Sequence, residues 1–154
     1  MAMYEFKLFA DYFQIYLQDE DVDGDLSDSW NDYAADNLLA IAPGTIGIGT
    51  VRNMTVPVTV EIVDSQIDDS FEEWDQVNEC SIVITSDKIV ISGCSDYLPE
   101  APRIKVTPGT YRARIFYGGL KTLSYDGVTG KDHYKVVLWL DNEIKPTKVL
   151  KKRE

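Results

Sequence analysis

Apolar and polar residues alternate along much of the chain, the period-two pattern of half-buried strands. Tyr4, Phe6 and Leu8 share one phase, and Phe13, Ile15 and Leu17 another. The phase changes near Ala10 and Asp11, which predicts a bulge or a break between two strands. After a turn at Pro43 and Gly44, residues 45–51 read as a strand that ends in a turn at Arg52 and Asn53. Val56, Val58, Val60 and Ile62 alternate most cleanly of all. Pro57 inside that run predicts an edge strand or a bulge, because proline cannot donate to a ladder. Residues 79–85 and 88–93 read as a hairpin, with Ile82 facing Ile91 and Ile84 facing Ile89 across a turn at Ser86 and Asp87. That register puts Cys80 and Cys94 on different faces, so two reduced, buried thiols are expected. Further strands are expected over 103–107, 109–117 and 134–140.

One helical segment interrupts this pattern. Ser27 or Asp28 could cap a short helix through SWNDYAADNLL, in which Trp30, Tyr33, Ala34, Asn37 and Leu38 share a face. In TPGTYRARIFY, Tyr111, Ala113, Ile115 and Tyr117 point one way, and Arg112, Arg114 and Phe116 the other. A tyrosine just after a Pro–Gly turn at a strand start predicts a tyrosine corner, its phenol bonded back to the backbone. The expected fold is all-β: a two-layer antiparallel β-sandwich of about eight or nine strands with one short helix. Residues 1–144 are expected to form that single domain, and 145–154, with Lys145, Lys148, Lys151, Lys152 and Arg153, a solvated basic tail.

At 154 residues the chain is long enough to fold without a disulfide or a metal. It shows no apolar run long enough for a membrane span and no leader pattern, which predicts a cytoplasmic protein with no membrane partner. Charge changes the picture most. The net is −11, unevenly spread: residues 1–80 carry 18 of the 26 acids against Lys7 and Arg52, a net of −16. Residues 81–154 carry 8 acids and 13 bases, a net of +5. Such a field repels nucleic acid and favours a basic protein or a cation.

Catalytic patterns are sparse, and neither an enzyme nor a cofactor is expected. His133 is the single histidine, no serine lies in a G-x-S-x-G context, and GTIGIG does not fit a nucleotide-binding fingerprint. A calcium site is the alternative reading, which would make the chain a recognition module for protein or carbohydrate. Asp19 to Gly24 match D-x-D-x-D-G, but Trp30 stands where an EF-hand places its closing glutamate, leaving Asp28 or Asp32 to close the shell. No tight metal site is expected there.

The preferred reading uses two acidic segments as a partner-binding surface. Asp19, Glu20, Asp21, Asp23, Asp25 and Asp28 form one cluster, and Asp68, Asp69, Glu72, Glu73 and Asp75 the other. If both lie on one side, they imitate the phosphates of nucleic acid and suit the basic cleft of a nuclease or toxin. Trp30, Tyr33 and Trp74 stand beside the clusters as candidate anchors.

Four segments resemble the competence protein J family, small acidic inhibitors of a DNA-entry nuclease: DYFQIYLQD, GTVRNM, SIVITSDKIVIS and VTPGTYRARI. Together the similar features span residues 4–140. The resemblance implies a β-sandwich and a nuclease-inhibitor or immunity role. The long D-x-D-x-D-G loop and the basic tail depart from that pattern.

Overall fold

A computed structural model describes residues 2–66, 68 and 70–154, and among them eleven strands form two packed sheets. In chain order the elements are β1 (Ala2–Phe9), β2 (Gln14–Asp19), α1 (Asp32–Asn37), β3 (Leu39–Ala42), β4 (Thr45–Gly49), β5 (Thr55–Ile62), β6 (Gln76–Ile84), β7 (Lys88–Gly93), β8 (Arg103–Lys105), β9 (Gly109–Gly118), β10 (His133–Leu140) and β11 (Lys148–Lys151). The larger sheet runs β1-β5-β10-β9-β6-β11 and the smaller β3-β4-β2-β7-β8. All pairings are antiparallel except β5 with β10. The sandwich is therefore as expected, with two strands more, β3 and β11, and one parallel pair.

The main core lies between the sheets and follows the alternation. Val56, Val58 and Val60 of β5, Ala113, Ile115 and Tyr117 of β9, and Ile15 and Leu17 of β2 all face it. The Tyr111 hydroxyl donates to the Thr107 carbonyl at 2.6 Å, which is the expected tyrosine corner. At the phase change, residues Asp11–Phe13 form a tight turn with left-handed backbone at Tyr12 and Phe13 that carries the chain from the larger sheet to the smaller.

Four expectations are corrected. Residues 79–93 are not a hairpin, because β6 belongs to the larger sheet and β7 to the smaller. Ile82, Ile84, Ile89 and Ile91 do share one core, but they reach it from opposite layers rather than across one ladder. Pro57 lies in an interior strand; β10 takes up its register only at Val58, so at Pro57 itself only β1 flanks the chain. The helix is shorter than the pattern implied and is capped by Asn31, whose side chain accepts from the Ala34 N–H at 2.9 Å. It ends at Leu38 in a left-handed conformation, which frees Leu39 to start β3. Both cysteines are free as expected, Cys80 in the core and Cys94 only half-buried.

The fourth correction concerns the basic tail, whose side chains are largely exposed but whose backbone is tied down rather than frayed. Arg112, fully buried, donates to the carbonyls of Lys145 and Pro146 while its Nε meets Glu79 at 2.7 Å. Beyond it β11 pairs with β6. Lys152 reaches Asp36 and Asn37, and the Arg153 N–H donates to the buried Gln76 side chain. Apart from the exposed Lys152–Asp36 pair, these bonds give buried or partly buried polar groups the partners they need.

Candidate partner-binding face

The first acidic segment is built around a carboxylate that faces inward. Asp19 ends β2 and is fully buried. Its Oδ2 accepts from the Thr85 N–H at 2.8 Å and the Thr85 hydroxyl at 2.7 Å. Its Oδ1 accepts from the Ser86 N–H and hydroxyl and from the Asp21 N–H. Burial alone would raise this carboxyl, but the bonds from Ser86 and Thr85 outweigh it and hold the pKa at about 2, down from 3.8. Asp19 thus anchors the crossing from β6 to β7 and does not belong to a docking surface.

From Asp19 onward the loop folds on itself. Asp23 accepts from the Asp25 N–H at 3.1 Å, and Asp25 from the Ser27 N–H at 2.9 Å. These are Asx turns, the local habit of aspartate in polar loops. They spread the D-x-D-x-D-G carboxylates along the backbone rather than around a central ion. Among the described residues no three histidine, cysteine or carboxylate groups converge at metal-binding spacing. Gly24 is favoured by its φ of +70°, and a Cβ there would also have to displace the Gln18 amide 2.5 Å away. Glu20 pairs with Arg103, which also donates to the carbonyls of Leu98 and Ala101. That bridge ties the acidic loop to the turn at Leu98–Glu100.

Between those two segments lies a groove of about 510 Å³ on the outer face of the smaller sheet. Gln14, Tyr16 and Gln18 of β2 and Ser92 of β7 line it. Its walls are Asp23, Asp25 and Trp30 on one side and Cys94 and Asp96 on the other, with Tyr12 also on the lining. Tyr16 and Ser92 are cross-strand neighbours. The alternation that aims Ile15 and Leu17 at the core aims Tyr16 outward, where it packs with Leu26, Ala34, Ala40 and Trp30. Gly47 makes this packing possible, since a Cβ there would meet Leu26 at 2.4 Å and Trp30 at 3.0 Å. Burial, with the neighbouring Cys94, pushes the Tyr16 phenol up to about 12, so it stays protonated and donates to Gln14 at 2.8 Å.

Three features mark this groove. Among the described residues no lysine or arginine pairs with Asp23, Asp25 or Asp96. The Ser92 hydroxyl is buried without a hydrogen-bond partner, and the Trp30 indole N–H, close to the Tyr16 phenol, meets no acceptor in bonding geometry. Finally, Tyr12 and Phe13 hold φ values of +56° and +61°. Two consecutive aromatics in the left-handed region are costly, about 1–3 kcal/mol each, and such strain concentrates at functional sites.

The second acidic segment lies elsewhere. Phe71 and Trp74 pack on Phe116 from the outer face of the larger sheet, at ring distances of 6.1 and 5.2 Å. Trp74 also stacks near His133 at 5.1 Å, so it is a packing residue, half-buried. Asp75 accepts from the Leu120 N–H at 2.8 Å and fixes a loop. Asp68, Glu72 and Glu73 are exposed, whereas Asp69 lies outside the described residues. The two acidic segments therefore cover opposite outer faces of the sandwich, and no single phosphate-like row joins them.

On the first face the structure brings Asp23, Asp25 and Trp30 together and leaves Asp21 and Asp28 exposed on the same loop. Tyr12, Tyr16, Ser92 and Asp96 complete the groove and were not predicted as site residues. The outward phase of Tyr16 between Gln14 and Gln18 was the available signal, since an aromatic on a polar strand face needs a cover. No pattern signalled Ser92 or Asp96, which the β7 crossover delivers.

No helix among the described residues is long and apolar enough to cross a membrane. No family model matches the sequence, and no curated protein matches it either. Two solved structures are similar. The crystal structure of ComJ, inhibitor of the DNA degrading activity of NucA, from Bacillus subtilis, aligns with a TM-score of 0.67 at 16% identity, over 92% of this chain and 96% of that one. Crocagin biosynthetic gene J aligns with a TM-score of 0.62 at 19% identity, over 92% of this chain and 99% of that one. The resemblance read from the four sequence segments thus holds at the level of the fold: this chain has the fold of ComJ across nearly its whole length.

Proposed function

We propose that this protein is an inhibitor or immunity protein that acts in the cytoplasm, binds a basic enzyme, a nuclease or a toxin, and is not itself a catalyst. The observation that carries the reading is the row of carboxylates on residues 21–28, of which Asp23 and Asp25 are fixed by backbone bonds and lack basic partners beside an aromatic groove. Fixed, unneutralised carboxylates attract a basic protein without first giving up a partner of their own. The likeness to ComJ, a nuclease inhibitor, supports the same reading. Asp21, Asp23, Asp25, Asp28 and Trp30 form the proposed contact. Asp19 is excluded by burial and Glu20 is engaged by Arg103. Asp68, Glu72 and Glu73 add long-range attraction from the other face.

The test is inhibition of purified basic nucleases, including any encoded beside this gene, with association rates measured at several salt concentrations. The triple change Asp21→Lys, Asp23→Lys, Asp25→Lys should slow association at least tenfold at low salt and flatten its salt dependence. Unchanged association at low salt, or an acidic protein as the recovered partner, would overturn the reading.

A further inference from the structure

The groove on the smaller sheet has the chemistry of a receptor for one side chain. Its rim is anionic and its walls are aromatic, with Asp23 and Asp25 on the same loop as Trp30. One oxygen of each carboxylate is held by a backbone N–H, Asp23 by Asp25 and Asp25 by Ser27, so the groups are oriented before any ligand arrives. Asp96 is held likewise, accepting from the Gly93 N–H at 2.7 Å. At the floor Ser92 is 1% exposed and its hydroxyl is unpartnered. A buried hydroxyl without a partner carries a desolvation cost that a ligand bearing hydrogen-bond donors can relieve. At the mouth Tyr12 is 70% exposed while its backbone is held left-handed.

We infer that this groove receives an arginine side chain presented by the partner protein. The identity of the partner rests on the inhibitor reading above; the choice of side chain rests on the groove. A lysine offers a compact, strongly hydrated charge, whereas a guanidinium is planar, stacks on aromatic rings and presents several donors in one plane. Tyr16 and Trp30 supply the rings, and Asp23, Asp25 and Ser92 the acceptors. The groove volume falls in the range of sites that enclose a small ligand, about 300–1,000 Å³.

The whole 154-residue chain, labelled with nitrogen-15, is titrated with acetyl-Gly-Arg-Gly-amide and with the same peptide carrying lysine or citrulline. The Trp30 indole resonance is identified by its loss in Trp30→Phe. Saturable, millimolar shifts are expected at that indole and at the amides of Tyr12, Tyr16 and Ser92. Lysine should bind at least fivefold more weakly, and neutral citrulline should not saturate. The double change Asp23→Asn, Asp25→Asn should weaken binding tenfold or more, and Ser92→Ala about threefold, with resonances of the opposite sheet unmoved to show that the fold survives. Equal binding of lysine or citrulline, or shifts confined to residues 70–75, would overturn the inference. Failure here is separable from failure of the inhibitor reading. If the arginine peptide saturates the groove but no nuclease is inhibited, the partner class is wrong and the receptor stands. If a nuclease is inhibited equally by wild type and by Asp23→Asn, Asp25→Asn, the receptor is wrong and the inhibitor stands.

Discussion

Replacing Asp19 by asparagine tests whether the first residue of the acidic loop is structural. The carboxylate accepts on both oxygens, and on each oxygen one donor is a backbone N–H that cannot turn away: Thr85 on Oδ2 and Ser86 on Oδ1. An amide therefore sets its own NH₂ against a backbone N–H whichever way it is flipped. The carboxyl lies at about 2 in the folded protein against an ordinary 3.8. At about 1.36 kcal/mol per pH unit, that gap corresponds to roughly 2.5 kcal/mol. The sign follows from the depressed value. The contribution is complete above the unfolded pKa of 3.8 and is lost as pH falls through about 2.

Urea unfolding of wild type and Asp19→Asn at matched pH isolates this group, because asparagine does not titrate and the other carboxyls cancel in the difference. The variant should be less stable by about 3.5 kcal/mol or more at pH 7, the titration contribution plus the cost of an unsatisfied N–H. The difference should shrink by about 1 kcal/mol between pH 6 and pH 3, and by about 2 by pH 2. Asp21→Asn, exposed on the same loop, should change stability by no more than about 0.5 kcal/mol. A gap that stays constant with pH, or one below about 0.5 kcal/mol at pH 7, would refute the assignment of Asp19 to the β6–β7 crossing.

Three other outcomes are expected. Tyr111→Phe removes the donor to the Thr107 carbonyl and should lower stability by about 1–2 kcal/mol in urea melts, with the fold kept. Ending the chain after Ile144 takes two acceptors from the buried Arg112 and one strand from the larger sheet. It should lower the urea midpoint by an amount equivalent to about 3 kcal/mol or more, whereas a dispensable tail would leave it unchanged. Burial pushes the Cys80 thiol up to about 12, so thiol titration of the native protein should count Cys94 alone and find Cys80 only after unfolding.

The sandwich was legible because alternation survives wherever one strand face is buried. It was equally visible which residues of 111–117 point inward. What alternation does not encode is which sheet a strand joins. Ile82, Ile84, Ile89 and Ile91 satisfy a hairpin and a two-layer core equally well, and the buried carboxylate of Asp19, sixty-six residues before Thr85 in the chain, settles the matter. The tail was misread for a related reason. Its exposed lysines hide the fact that Arg112, read as a strand residue, and Gln76, just outside the expected strand 79–85, hold its backbone. The candidate site was half legible. The acidic residues and Trp30 stood out by composition, but Tyr12, Ser92 and Asp96 reach the groove through the turn at Asp11–Phe13 and the return of β7, which are tertiary facts.

Charge in sequence and charge in space also give different surfaces. The first 80 residues carry a net of −16, yet their carboxylates are not equivalent. Asp19 is sealed inside, Glu20 and Glu79 are neutralised by arginines, Asp36 by Lys152, and Glu61 sits near Lys135. The basic second half thus discharges part of the acidic first half when the chain folds. What it leaves without a basic partner among the described residues includes Asp21, Asp23, Asp25 and Asp28 on one face and Glu72 and Glu73 on the other. Net charge would steer any basic protein toward either face. Both faces carry a groove, the second beside Glu72, Glu73 and Lys135, but among the described residues only the first joins its groove to an unpartnered hydroxyl and strained aromatics, so it is there that attraction can become specific contact.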